Sequence, residues 1–393
     1  MALTLIADRI LKGKIYPAFA QHRAEPYTTG WREFGSHWPY TVPLRLQEYC
    51  EHHGAKLNIV DLSAPWPTDA MYAIGLGFFD FGIDYFELLP ARVRSELSKS
   101  NVRVLFYYHE GDNPHHIKQR LDTLCVQHSL RTDCYVFVSG NTAAKDIPGF
   151  VYFNDFELWY WHRNEHVPAV AVHQHPRQYD FTVLNRLHKS WRATAMADLH
   201  RLGTLDRSYW SYCETGLIRD EENPIEIDSI DGLRADTERF LASAPYFCDD
   251  LSMADRNNHS IQQSQYFDNA YCNIVMETHF DADGSQGTFL TEKTYKPIKH
   301  GQMFFIAGPA GSLQVLREQG YRVFDGALDT SYDYDANNTH RWIKLCNAIR
   351  KAKANLPELF ERVRADIEHN QRLFLELKTA RVNILLEHIN EPY

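Results

Sequence analysis

The sequence predicts an α/β protein of two domains followed by long C-terminal helices. Three observations carry that prediction. Apolar runs of strand length alternate with helical patterns of crossover length; a loop rich in Pro and His interrupts the alternation before it resumes; and the C-terminal segment is helical in period. The 393 residues fit two domains at about 150 residues each, with cores large enough to need no disulfide or zinc.

The first domain reads as a strand at 57–62, a helix at 89–98, a strand at 102–108, a helix at 117–128 and a strand at 134–138. Strands joined by helices of this length pair in parallel through right-handed crossovers. The boundary falls within 168–180. Beyond it come a strand at 181–184, a helix at 190–202, a strand at 271–276, a helix opening near Thr291, a strand at 303–307, a helix at 312–319 and a strand at 321–324. Ser312 is placed to cap its helix and Gly320 to close it. From 341 to 389 the pattern is helical, with a break expected at Pro357. The domains are therefore set at 1–170 and 171–340, with helices of 341–393 packing back on them. A cleft between the domains, at the carboxyl ends of the strands, is the expected place for a ligand.

Composition narrows the function. With 41 Lys and Arg against 51 Asp and Glu, the net charge of −10 gives no global attraction for a polyanion. Seven Cys without a C-x-x-C pair read as reduced thiols. Charges at Asp8, Arg9, Lys12 and Lys14 break any N-terminal apolar run, and no stretch approaches the ~20 apolar residues that span a bilayer. A cytoplasmic protein without a membrane partner is expected. P-loop, G-x-S-x-G and H-E-x-x-H patterns are absent, and Gly75, Gly77 and Gly82 miss the dinucleotide spacing. His162, His166, His173 and His175 lack partners at a standard ligand spacing, so no metal is expected there. Asp281 and Asp283 form a D-x-D, which after a strand can hold a divalent metal on a sugar-nucleotide pyrophosphate, but followed by Gly284 and Gly287 it reads rather as a polar turn.

Two segments carry chemistry. In 289–308 (FLTEKTYKPIKHGQMFFIAG), Thr291 can cap a helix whose free N–H groups lie beside Lys293 and Lys296, one turn apart, which suits a phosphate. Glu292 can accept hydrogen bonds from a ribose diol. The competing reading is a surface helix of mixed charge. In the second segment, the strand ending at Asn185 leads into Arg186, Lys189 and Arg192, cations at three-residue intervals suited to an anion clamp, or alternatively a solvated basic face.

These motifs, continued through 308–313 (GPAGSL), 320–326 (GYRVFDG) and 329–333 (DTSYD), resemble the donor-binding region of fucosyltransferase-like glycosyltransferases and related proteins of bacteria and their phages. The resemblance covers about 181–333. It implies a GT-B arrangement of two facing Rossmann-like domains, in which the second binds a nucleoside-diphosphate sugar without metal or other cofactor. It places Glu292 on the ribose, and Lys293 with Arg186 or Arg192 on the pyrophosphate. The family often has Tyr where this chain has Phe289, so a hydroxyl contact is missing and GDP-fucose is not singled out as donor.

Inverting transfer would need a base on the first domain, and Glu110 is the candidate, in the turn after the strand 102–108, with His109 and Asp112 as competitors and a purely structural turn as the alternative. Burial beside aromatic residues would raise its pKa towards a useful range. The acceptor is a glycan hydroxyl or a hydroxylated base in phage DNA. The DNA version calls on Arg23, Trp31, Arg32, His37, Trp38 and Tyr40 as a basic, aromatic groove. A non-catalytic protein that binds sugar nucleotides or glycans is the remaining alternative.

Overall fold

The structure is a computed structural model and describes residues 3–7, 44–76, 79–169, 171–172, 176–185, 188–213, 223–248, 264–281, 287–376 and 378–391. The chain forms two compact units, 1–159 with 377–393, and 160–376.

The first unit holds β1 (Leu3–Ala7), α1 (Leu44–His53), β2 (Leu57–Asp61), β3 (Met71–Leu76), α2 (Ala91–Ser98), β4 (Arg103–Tyr108), α3 (Pro114–Gln127), β5 (Tyr135–Ser139) and β6 (Phe150–Tyr152). Helix α4 (Asp155–Arg163) carries the chain into the second unit. The six strands pair in parallel in the order β2-β1-β3-β4-β5-β6. Covered on both faces, the inner strands are almost wholly apolar, as a parallel sheet requires. Phe106 and Phe137 of neighbouring strands meet Phe150, Tyr85 and Tyr135 in one aromatic core.

The second unit holds β7 (Tyr179–Asn185), α5 (Ser190–Arg201), β8 (Ser208–Tyr212), α6 (Leu233–Ser243), α7 (Ser264–Asp268), β9 (Ala270–Met276), α8 (Glu292–Lys299), β10 (Met303–Ala307), α9 (Ser312–Glu318), α10 (Asn338–Lys353), α11 (Leu356–Arg362) and α12 (Arg364–Glu376). Its sheet is also parallel, in the order β10-β9-β7-β8. The final helix, α13 (Lys378–Asn390), belongs to the first unit and packs on α1, β1 and β6. The α/β class, the parallel pairing and the C-terminal helices agree with the sequence reading. No described helix is long and apolar enough to cross a membrane.

Three local expectations need correction. The segment 321–324 is not a strand. Asn370 of α12 accepts from the Arg322 N–H at 2.7 Å and donates to the Arg322 carbonyl at 2.8 Å, taking the groups a sheet neighbour would use. Ser312 does not cap α9. The cap position is Gly311, whose φ of 83° suits glycine, and the Asp333 carboxylate accepts from the Leu313 and Gln314 N–H groups. The break expected at Pro357 falls just before it, at Ala354 and Asn355, with Pro357 in the first turn of α11, as a proline that cannot bond the Lys353 carbonyl requires. It is not the single break expected, because Val363 separates α11 from α12.

Candidate functional site

The second sheet changes winding direction at β7. Its successor β8 lies on one side and β9 on the other. At such a switch point the loops after neighbouring strands diverge, leaving room for a ligand at the carboxyl edge. Register brings Met276 of β9 level with Ala307 of β10, and pairs Thr182 of β7 with Asn273 of β9. Asn185 thus ends β7 beside the end of β9, and the expected donor-side residues fall on the segments that leave this edge.

Glu277 follows β9 and is completely buried. Its Oε1 accepts from the Thr291 N–H at 3.1 Å and the Thr294 hydroxyl at 2.6 Å. Its Oε2 accepts from the Thr291 hydroxyl at 2.7 Å and the Thr278 N–H at 3.1 Å. From the other side, Arg192 of α5 donates to the main-chain carbonyls of Glu277 at 2.5 Å and Met276 at 3.3 Å. The two segments singled out in the sequence therefore meet on one residue.

Thr291 occupies the cap position of α8 by backbone geometry, but its hydroxyl is bonded to Glu277 rather than to its own helix. Lys293 Nζ donates to the Thr291 hydroxyl at 3.0 Å and the Thr278 hydroxyl at 3.3 Å, and stands 3.4 Å from Glu292. The lysine is partly exposed while Glu292 is buried. Lys296, one turn on, is partly buried, and Pro297, Ile298 and even Lys299 are buried. The reading of this stretch as a surface helix of mixed charge is thereby overturned.

The same holds for α5. Residues 191–199 are all buried, so Arg192 lies on no solvated face. Arg186 lies outside the described residues. Lys189 precedes the helix as its cap residue and is partly exposed. The Asn185 amide nitrogen and the Trp191 indole nitrogen are buried with no hydrogen-bond partner among the described residues. Both are donors at the carboxyl edge of β7, suited to a ligand oxygen.

Sequence reasoning missed two parts of this edge. Glu277 sits one residue past an apolar strand and gave no spacing signal. Arg341 is buried on α10, with its guanidinium 4.5 Å from the Phe280 ring. It donates to the carbonyls of Phe280, Gly308 and Asp335, bracing the loops after β9 and β10, and burial pushes its pKa down to about 10. A lone Arg beside buried Trp342 and Leu345 in a helical pattern was the available signal. Asp281 is exposed after this loop, and Asp283 lies outside the described residues.

In the first unit, the turn after β4 carries the three expected acceptor-side groups. His109 is buried, and desolvation, aided by the charge of Arg45, holds its pKa well below the usual histidine value, so the ring is neutral at pH 7. Glu110 has 31% of its side chain exposed, with a carboxylate oxygen 3.6 Å from His109 Nε2. The burial considered for Glu110 thus belongs to its neighbour. Asp112 accepts from the buried Tyr108 hydroxyl at 2.5 Å. Behind this turn, buried Asp155 accepts from Arg45, Tyr49 and Tyr107. Residues 23–40, the expected aromatic groove, lie outside the described residues, as do His173 and His175. His162 lies on α4 and His166 in the turn after it.

A cavity of about 640 Å³ elsewhere in the second unit is lined by Asp325, Asp329, Tyr334, Lys351 and Arg362 among others, and includes none of the expected site residues.

No protein-family model matches the chain, so the fucosyltransferase-like resemblance rests on its motifs alone. No curated protein matches either. Among solved structures, the chain is similar to the DNA-modifying enzyme β-glucosyltransferase, determined in the presence and absence of its substrate uridine diphosphoglucose. Identity is 11%, the alignment covers 86% of this chain and 93% of that one, and the TM-score is 0.32.

Proposed function

We propose that the protein is a GT-B-type glycosyltransferase that moves a sugar from a nucleoside diphosphate to an acceptor hydroxyl. The observation that carries this reading is the convergence of Arg192 and the Thr291–Lys293 turn on Glu277 at the switch point of a parallel sheet. Two strand-to-helix junctions at one sheet edge offer donors and positive helix ends to a diphosphate.

In this reading Lys293 and Lys189 meet the phosphates, with Lys296 adding charge one turn away and Arg186 completing the group after β7. Asn185 and Trp191 donate to ligand oxygens, and Glu292 accepts from the ribose. Arg192 acts mainly as a strut that fixes Glu277. Protein cations neutralise the leaving diphosphate, so transfer proceeds without metal. Glu110 removes the acceptor proton as the hydroxyl attacks the anomeric carbon, with neutral His109 beside it and Asp112 holding the turn.

The test begins with a thermal-shift panel of UDP, GDP, CDP, ADP and dTDP. One or two should raise the melting temperature, because a ligand that binds only the native state stabilises by mass action. The matching sugar nucleotides are then assayed for nucleoside-diphosphate release with oligosaccharides and with short duplex DNA carrying hydroxymethylated bases, with and without EDTA. Acceptor-dependent release that EDTA leaves unchanged is the expected result. Binding without release for any acceptor favours the non-catalytic alternative. A Glu110→Gln enzyme should lose at least about a hundredfold in kcat, and full activity would remove Glu110 as the base.

A further inference from the structure

We infer that Glu277 is a positioning residue for the donor diphosphate, aligning Lys293 through the Thr291 hydroxyl. The inference rests on the transferase reading of this edge and deepens it. A carboxylate only accepts, so each donor that meets it has its direction fixed. Four donors converge on Glu277, from Thr278, Thr291 twice and Thr294. The Thr291 hydroxyl has one proton, and with that proton on Glu277 its lone pairs are left for Lys293 Nζ at 3.0 Å. The result is a directed relay from ammonium to hydroxyl to buried carboxylate, which holds a partly exposed lysine in one place.

Two further features fix the position of residue 277 itself. Arg192 fixes the main chain of the same residue, so Glu277 is held at both its backbone and its carboxylate. A β-carbon on Gly308 would come 3.3 Å from the Glu277 β-carbon, so glycine at 308 is what lets the end of β10 pass this close to residue 277. The carboxylate also ties the cap residue Thr291 to Thr294 in the first turn of α8, without itself reaching solvent.

Glu277→Gln preserves shape but replaces one acceptor oxygen by an NH₂ group. The Thr291 hydroxyl must then turn, and Lys293 loses its fixed acceptor. The expected result is a rise of at least about tenfold in donor KM and in the Kd for inorganic pyrophosphate measured by calorimetry, with acceptor KM unchanged. Thr294→Val, which removes one donor to Glu277 without touching Lys293, should give a smaller rise in the same constants and serves if Glu277→Gln does not fold. Thr291→Val should raise donor KM, and Thr291→Ser, which restores the hydroxyl between Lys293 and Glu277, should recover most of that loss. Asp198→Asn is the control for general destabilisation, because Asp198 is a buried carboxylate of the same unit bonded to Trp342 and Arg201. It should lower the melting temperature and leave donor KM alone.

Wild-type donor KM and pyrophosphate affinity in Glu277→Gln would overturn the inference while leaving the transferase reading intact. So would an Asp198→Asn enzyme with an equal rise in donor KM. Wild-type protein that binds neither pyrophosphate nor any nucleoside diphosphate would overturn the reading of the edge, and the inference with it.

Discussion

Arg192 illustrates how burial can turn a cation that its spacing marks for an anion towards the main chain instead. Three cations at regular spacing after a strand suggested an anion clamp or a solvated basic face, yet the Arg192 guanidinium is buried and bonded to two main-chain carbonyls at the end of β9. A planar fork can serve two acceptors in one plane, whereas an ammonium is a compact point charge on a flexible stem. Arg192→Lys should therefore behave as a disruptive change. Hydrogen bonds from a charged donor contribute about 1.5–3 kcal/mol, so a loss of about 2 kcal/mol in urea denaturation is expected, with weaker nucleoside-diphosphate binding because Glu277 is no longer held. A variant as stable as wild type would show that the strut contributes nothing.

At the scale of the elements, α8 ends in a titratable group whose protonation opposes folding. His300 stacks on Phe267 and is buried beside Lys299 and Lys296, and desolvation followed by those two charges pushes its pKa down to about 3. An unfolded histidine titrates near 6.5. Between these values the unfolded chain binds the proton and the folded chain does not. The contribution of His300 is therefore fully present above about pH 6.5 and is lost as pH falls towards 3, with a slope of at most about 1.4 kcal/mol per pH unit. The difference in unfolding free energy between wild type and His300→Gln should be flat above pH 7 and should fall below pH 6.5. A difference that stays constant down to pH 4.5 would show that the ring is protonated in place.

What the sequence made legible at this scale follows burial only in part, since the largely exposed β2 was read while the buried, apolar β1 and β3 were not. Strands β5, β9 and β10, buried along their length and mostly apolar, and the helices between them stood out by pattern. Edge strand β8 did not, because its Ser-Tyr-Trp-Ser-Tyr run is only half-buried, and β6 is only three residues long. The segment 321–324 has the composition of a strand, but its backbone is paired by an asparagine more than forty residues away, which no local pattern can reveal. The site divides in the same way. Thr291, Glu292 and Lys293 were visible as a helix start rich in donors. Glu277 and Arg341 were not, since their roles depend on which loops meet at the sheet edge.

On the scale of the whole molecule, the last helix matters more than its position at the end of the chain suggests. Val382, Leu385 and Ile389 of α13 are buried, and the helix packs on α1, β1 and β6 of the first unit. Thr379 lies 3.2 Å from His53, and Arg381 pairs with Glu157 at 3.1 Å. Burying an aliphatic side chain contributes about 1.5–3 kcal/mol, so these three residues together are worth about 6 kcal/mol, a large share of the 5–15 kcal/mol by which a domain is usually stable. Deleting 378–393 should therefore destabilise the first unit, exposing its amides to rapid hydrogen exchange, while the second unit, which ends with α12, keeps its protection. Because the proposed base, Glu110, lies in the first unit and the proposed diphosphate contacts lie in the second, the truncated chain should bind its nucleoside diphosphate with near-native affinity and fail to transfer the sugar. Loss of nucleotide binding together with transfer would show that the two units do not divide the work in this way.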